Sequence, residues 1–310
     1  MIPAPKLPRI SVIIPVYNRP RLAVEAVRSV LLQSYPQLEC LLVDDGSTEP
    51  PEEAIRLFSV DPRFRYFRST HSGMPGAVRN RGVAEACYDL LAFLDSDDIW
   101  LPQKLELQAA KLMERSERRE RRWEGAALVH SKEIWLRGEK IVSQKRHRHK
   151  REGYVFADAL KKCMIGPSTV LMRRDVFEQL GGFREDLEIA EDYELWLRLS
   201  ALYPVEYVEE PLIVKRAGHG GQLSEKYGHI ELFRLKGLED LVTGSWFDCH
   251  EALGSEGEHC PEGLTAGHSQ KKAAAELSKK CAIYAAGCRS RGRIEEAESY
   301  EAKAARYAEH

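Results

Sequence analysis

The chain has 310 residues, 43% of them hydrophobic and 8% aromatic, which is length for about two domains and apolar content for a sizeable core; a disordered or fibrous protein is excluded. Forty-six Lys and Arg against 48 Asp and Glu leave a formal charge of −2, so no global field draws the chain to nucleic acid or to an anionic bilayer, and any phosphate must be held by local groups. The seven cysteines are scattered without a C-x-x-C pair, as expected of reduced thiols. No apolar run approaches the roughly 20 residues of a membrane span, and Met1-Ile2-Pro3-Ala4-Pro5 lacks signal-peptide order, so the expected location is the cytoplasm.

The first hundred residues alternate short apolar runs with helical patterns, which predicts β-α-β units and a mostly parallel sheet. Residues 10–15 read as a buried strand stopped by Pro15. Asn18 is the expected cap of the next helix, with Pro20 in its first turn and Leu22, Ala26, Val27, Val30 and Leu31 at helical spacing. Residues 38–43 form a second strand that ends in Asp44-Asp45-Gly46-Ser47, and a helix follows at 52–58. A third strand at 64–68, a helix at 76–86 and a fourth strand at 90–94 lead to Asp95-Ser96-Asp97-Asp98. Polar groups thus gather at strand carboxyl ends, where open α/β sheets bind ligands.

Pro102 opens a helix to about residue 115, and the mixed charges of 114–122 read as its solvated end. Alternation over 126–142 predicts two strands of a mixed extension. The seven consecutive basic residues 145–151 read either as a loop between strands or as a contact for phosphate or an anionic membrane surface. A strand at 168–172, a helix at 174–180 closed by Gly181-Gly182 and a patterned helix at 192–201 complete a first domain, residues 1–224. Residues 225–310 read as a helical extension: a helix to 250, a linker at 254–267 and an Ala-rich hairpin at 270–309 that packs on the main domain or docks a partner or second copy.

The most informative cluster is Asp95, Asp97 and Asp98. Three carboxylates within four positions after a buried strand repel one another, and a hard divalent cation such as Mg²⁺ or Mn²⁺ offsets that cost; the bland alternative is a cap for the following helix. Glu191-Asp192 stands where a helix dipole favours a carboxylate.

Ser11-Val12-Ile13-Ile14-Pro15-Val16-Tyr17-Asn18, Val43-Asp44-Asp45-Gly46-Ser47, Ala77-Val78-Arg79-Asn80, Phe93-Leu94-Asp95-Ser96-Asp97-Asp98 and Glu191-Asp192, in this order, make about residues 9–220 resemble the family-2 glycosyltransferases of GT-A fold. The resemblance implies a Rossmann-like mixed sheet flanked by helices. It implies inverting transfer of a sugar from a nucleotide-diphospho-sugar, expected to be a UDP-sugar, to a hydroxyl of a glycan or lipid-linked acceptor in bacterial polysaccharide assembly, in the cytoplasm or at the inner face of the membrane. Pro15 and Tyr17 would then lie against the base, and Asp45, with Asp44 beside it, would accept a hydrogen bond from it. Asp44 capping its turn is the alternative. Arg79 would sit near the nucleotide, unless it pairs with Asp44 or Asp95. Asp97 would bind the metal, Asp95 the ribose or metal, and His219 phosphate or metal. Asp192 would be the general base, with Glu191 in reserve.

Three other readings compete. One is a non-catalytic nucleotide-sugar or glycan-binding protein on the same scaffold. Another is a zinc module around Cys249-His250, His259-Cys260 and His268, which lacks a compact knuckle. The last is a sugar nucleotidyltransferase, which would need a Gly-rich phosphate loop where Pro15-Val16-Tyr17-Asn18-Arg19 stands.

Overall fold

Near-continuous apolar runs build the centre of the sheet. β1 (Ile10–Val16), β2 (Leu38–Asp44), β3 (Phe64–Arg68) and β4 (Leu90–Phe93) pair in parallel in the order β3-β2-β1-β4, and every residue of β2 and β4 is buried. The structure, a computed structural model, describes residues 7–117, 126–138, 140–143, 151–218, 230–249 and 266–309. The basic residues 145–150, His219, linker residues 254–265, and His250, His259 and Cys260 lie outside them.

Helices α1 (Pro20–Leu31), α2 (Glu52–Phe58) and α3 (Pro75–Glu85) connect these strands. Alternate residues of β1 serve opposite faces: Val12 and Ile14 join Ala23 and Val27 of α1, whereas Ile13 joins Val78 and Val83 of α3. Gly82 permits the second contact, since a Cβ there would stand 2.4 Å from Ile13 Cγ2.

Beyond β4 the sheet becomes mixed. β5 (Ile99–Trp100), α4 (Lys104–Glu117), β6 (Leu128–Arg137) and β7 (Lys140–Val142) are followed by α5 (Phe156–Lys161), β8 (Leu171–Arg173), α6 (Arg174–Gln179), α7 (Glu191–Leu202) and β9 (Val205–Ala217). β8 runs antiparallel to β4 and β6, β9 parallel to β6, and the full order is β3-β2-β1-β4-β8-β6-β9-β5 with β7 on β6. The C-terminal segment forms α8 (Ile230–Thr243), α9 (Trp246–Cys249), α10 (Ala266–Ser290) and α11 (Ile294–Ala308). Leu235, Leu238, Ala273 and Leu277 from these helices share one apolar cluster with Phe156 and Leu160 of α5 and Tyr193 and Leu197 of α7. Among the described residues, no helix is long and apolar enough to cross a membrane.

Two local expectations are corrected. Asn18 does not cap α1: it takes a left-handed φ of 50° and its Oδ1 accepts from Thr48 Oγ1 and Glu49 N, both at 3.1 Å, which leaves Arg19 at the cap. The strand expected at 168–172 begins only at Leu171, after a 3₁₀ turn at Pro167–Thr169. Side chains take the backbone groups a ladder would use, for Trp100 Nε1 donates to Ser168 O at 2.9 Å and Gln108 Nε2 to Thr169 O at 2.7 Å.

Candidate functional site

A cleft of about 420 Å³ opens at the carboxyl ends of β1, β2 and β4, against the start of α7. Pro15, Tyr17 and Asp45 line one end, Asp95, Asp97 and Asp98 the middle, and Glu191 and Asp192 the far wall. A larger groove of about 870 Å³ between α4 and β9 is lined by Lys111, Glu114, Tyr207 and Glu209 and holds none of these residues.

At the first end, Gly46 turns the chain after β2 with φ 68°, and its missing side chain lets the backbone of His71 approach: a Cβ would meet His71 N at 2.6 Å. Asp44 is fully buried behind this turn. Its Oδ1 accepts from Ser47 N at 2.9 Å and its Oδ2 from the Tyr66 hydroxyl at 2.8 Å, so of its two expected roles the structure gives it the turn rather than the base. Asp45 faces the cleft, and the Tyr17 ring beside it is 40% exposed.

In the middle, one oxygen from each of Asp95, Asp97 and Asp98 falls within 4.8 Å of the others. Burial, followed by the repulsion of Asp95 and Asp97 and opposed by Lys215, pushes Asp98 up to about 7. Asp98 accepts from Ser168 Oγ at 2.6 Å, and Asp97 pairs with Arg19 Nη1 at 2.6 Å. Burial works against the charge of Asp95 as well, yet Arg79 and Lys215 outweigh it and hold that carboxyl below its usual range.

Arg79 is the strut between the middle and the far wall. It is buried, its Nη2 lies 2.6 Å from Asp95 Oδ1, its Nη1 pairs with Glu191 Oε1, and Phe183 lies 5.4 Å beneath the guanidinium. Of the partners weighed for it, Asp95 is found and Asp44 is not; Glu191 was not foreseen. Burial raises Glu191 to about 7 against the pull of Arg79, with Asp192 adding repulsion.

Ala190, at φ 65°, is the cap of α7 and sits in the left-handed region without being glycine. Such strain gathers at functional sites because surrounding contacts must hold it. The geometry puts Glu191 and Asp192 on the first two helical positions, and Asp192 is thus not the cap. Asp192 Oδ1 accepts from Tyr193 N at 2.7 Å, and Cys163 Sγ stands 3.9 Å from Oδ2.

Sequence reasoning missed Arg19, His71, Lys215 and Arg216, all of which line the cleft. Arg19 directly follows the first matched motif and could have been found there. Lys215 and Arg216 come from the last third of the chain, and the antiparallel β5-β9 pairing, with Ile99 opposite Val214, carries them to the aspartates. Despite its burial, Lys215 keeps its proton beyond the ordinary lysine range because Asp98, Glu133, Asp95 and Asp192 surround it.

Six acids (Asp45, Asp95, Asp97, Asp98, Glu191, Asp192) and four bases (Arg19, Arg79, Lys215, Arg216) line the cleft, a formal excess of two negative charges once Asp98 and Glu191 are ionised. An oxygen-only donor set with that excess fits a hard divalent cation such as Mg²⁺ or Mn²⁺.

Comparison with known proteins follows the same lines. The family model described as Glycosyl transferase family 2 matches residues 11–181. An uncharacterized glycosyltransferase of Rickettsia conorii is 34% identical over 214 residues, 68% of this chain; the chain spans only 33% of that relative. The putative teichuronic acid biosynthesis glycosyltransferase TuaG of Bacillus subtilis is 32% identical, with 62% of this chain and 72% of that protein covered. The Escherichia coli UDP-Glc:alpha-D-GlcNAc-diphosphoundecaprenol beta-1,3-glucosyltransferase WfgD is 30% identical over 61% of this chain and 69% of its own length. Among solved structures, S. aureus TarS 1-349 in complex with UDP-GlcNAc superposes with a TM-score of 0.61 at 16% identity, covering 97% of this chain and 92% of that one. The mannosyltransferase PcManGT of Pyrobaculum calidifontis, in complex with GDP-Man and Mn2+, does so with a TM-score of 0.56 at 19% identity, covering 97% and 87%. The fold is the GT-A fold of these enzymes, with C-terminal helices added.

Proposed function

Because the chain belongs to glycosyl transferase family 2, we propose that it transfers a sugar from a UDP-sugar to a hydroxyl of a glycan or lipid-linked acceptor with inversion. The observation that carries this reading is the set of groups lining one cleft: Pro15 with the Tyr17 ring, an aspartate cluster, and a carboxylate at the start of α7. The UDP-GlcNAc complex of TarS supports the donor class, and the names of TuaG, for teichuronic acid biosynthesis, and WfgD, for a diphosphoundecaprenol acceptor, support a polysaccharide or lipid-linked glycan acceptor.

Asp97, with Asp95 and Asp98, would hold Mn²⁺ or Mg²⁺, which when bound neutralises charge on the departing nucleoside diphosphate. Arg79 acts through the two carboxylates it joins, fixing the aspartate cluster relative to α7. Tyr17 and Pro15 receive the base, and His219 would contact phosphate or metal. Asp192 accepts the proton of the acceptor hydroxyl at Oδ2, the oxygen not engaged by Tyr193 N. A single displacement with one base and no covalent intermediate inverts the anomeric centre. Residues 1–224 carry this chemistry, and α8 and α10 of the C-terminal segment pack on α5 and α7, with Ile230 reaching the cleft.

The test is Asp192→Asn, read by UDP release and by UDP affinity. Transfer falls by about 10²–10⁴-fold with unchanged UDP affinity if Asp192 is the base. Full transfer by the variant removes it from the mechanism.

A further inference from the structure

His71 makes, inside the protein, the same pair of contacts that a nucleobase would make. Its ring stacks on Tyr17 with centroids 4.0 Å apart and planes 13° apart, and its Nδ1 lies 2.8 Å from Asp45 Oδ2. A carboxylate offers about four acceptor positions. At Asp45 three have a hydrogen-bond donor, Ser72 N at 2.8 Å and Ser72 Oγ at 2.9 Å on Oδ1 and Gly73 N at 3.0 Å on Oδ2, and His71 Nδ1, which also lies 3.0 Å from the backbone O of Asp45, stands 2.8 Å from Oδ2 in the fourth. A base N–H can therefore reach Asp45 Oδ2 only if the His71 ring or one of the three donors leaves.

The four are not equally free to go. Two are backbone amides of a segment pressed onto the Gly46 turn. The Ser72 hydroxyl is held from its other side by Met74 N at 3.2 Å. The His71 side chain is 45% exposed and swings away by rotation about two bonds. It is also the donor whose departure uncovers the face of Tyr17, so a single rotamer change opens both the stacking surface and the carboxylate.

We propose that His71 is an internal ligand of the nucleobase subsite, seated where the base of the donor nucleotide binds, and that the nucleotide displaces it. The proposal rests on the donor reading above. Its consequence is a built-in competitor: nucleotide affinity is reduced by the fraction of molecules in which the subsite is open, and the returning imidazole favours release of the spent nucleoside diphosphate. A residue that instead gripped the base would have the opposite effect on affinity, which makes the two roles separable.

The experiment is calorimetric titration of the full chain and of His71→Ala with UDP and with GDP in the presence of Mn²⁺. Displacement predicts tighter binding by the variant, roughly tenfold if nine molecules in ten hold His71 in the subsite. Equal or weaker binding by the variant overturns the proposal. An independent reading needs no substitution: in the free protein the carbon-bound ring protons of His71 are shifted upfield by Tyr17, and saturating UDP returns them to ordinary positions. Protons that stay shifted in the complex overturn the proposal. If neither protein binds either nucleotide, the donor reading itself fails, a result distinct from both proteins binding with the same affinity.

Discussion

Asp98→Asn is expected to stabilise the protein at pH 8 and to lose that advantage at pH 5. Asp98 is 2% exposed, and burial with two neighbouring carboxylates raises it from 3.8 to about 7. A carboxyl whose folded value lies above its unfolded value contributes stability that is complete below the unfolded value and lost as the pH rises through the folded one. About three pH units at 1.36 kcal/mol each amount to about 4 kcal/mol lost between pH 4 and 7. Asparagine never ionises and escapes this loss, and its carbonyl still accepts from Ser168 Oγ, now 2.6 Å from Asp98 Oδ2. Its amide then meets Arg216 N, 3.3 Å from Oδ1, a donor against a donor at a cost of about 1–3 kcal/mol. In chelator the variant should thus be about 1–3 kcal/mol more stable than wild type at pH 8, and because wild type regains about 2–3 kcal/mol on acidification the two should lie within about 1 kcal/mol of each other at pH 5. Urea denaturation at the two pH values measures this directly. A variant equally destabilised at both would refute the claim that the folded chain holds Asp98 against its charge.

Two further expectations concern the frame around the site. Ala190→Gly removes the left-handed strain before α7 while adding chain entropy to the unfolded state, and should change stability by no more than about 1 kcal/mol, in the favourable direction; a loss beyond 1 kcal/mol in denaturant titration would contradict the assigned backbone. Leu238 is fully buried in the cluster that joins the C-terminal helices to α7. Leu238→Ala should cost about 2–5 kcal/mol, with far-UV circular dichroism and nucleotide binding lost in one coincident transition; two separate transitions would show that residues 225–310 fold as an independent unit.

What the sequence discloses of this protein follows the range of the forces involved. The strands at 38–43 and 64–68 and the aspartates after residue 94 are local signals, because a short apolar run ending in turn residues describes its own surroundings. Asn18 misleads because its side chain serves a partner 30 and 31 residues away rather than the adjacent helix. The residues at 168–170 mislead for a similar reason, their carbonyls being claimed by Trp100, Gln108 and Lys104. Arg79 was placed near the cleft by its motif, but its pairing with Glu191, 112 residues on, depends on α3 and α7 meeting on one face of the sheet. Lys215 carries no motif at all, and its place among four carboxylates exists only in the fold.

The central claim is that a cleft with two surplus negative charges takes up a nucleoside diphosphate through a divalent cation. Calorimetric titration of UDP into the protein with Mn²⁺, in chelator, and into Asp97→Asn with Mn²⁺ tests it most directly. Binding in the first case, with affinity at least tenfold weaker in the other two, is the predicted result; the same UDP affinity in all three would contradict it.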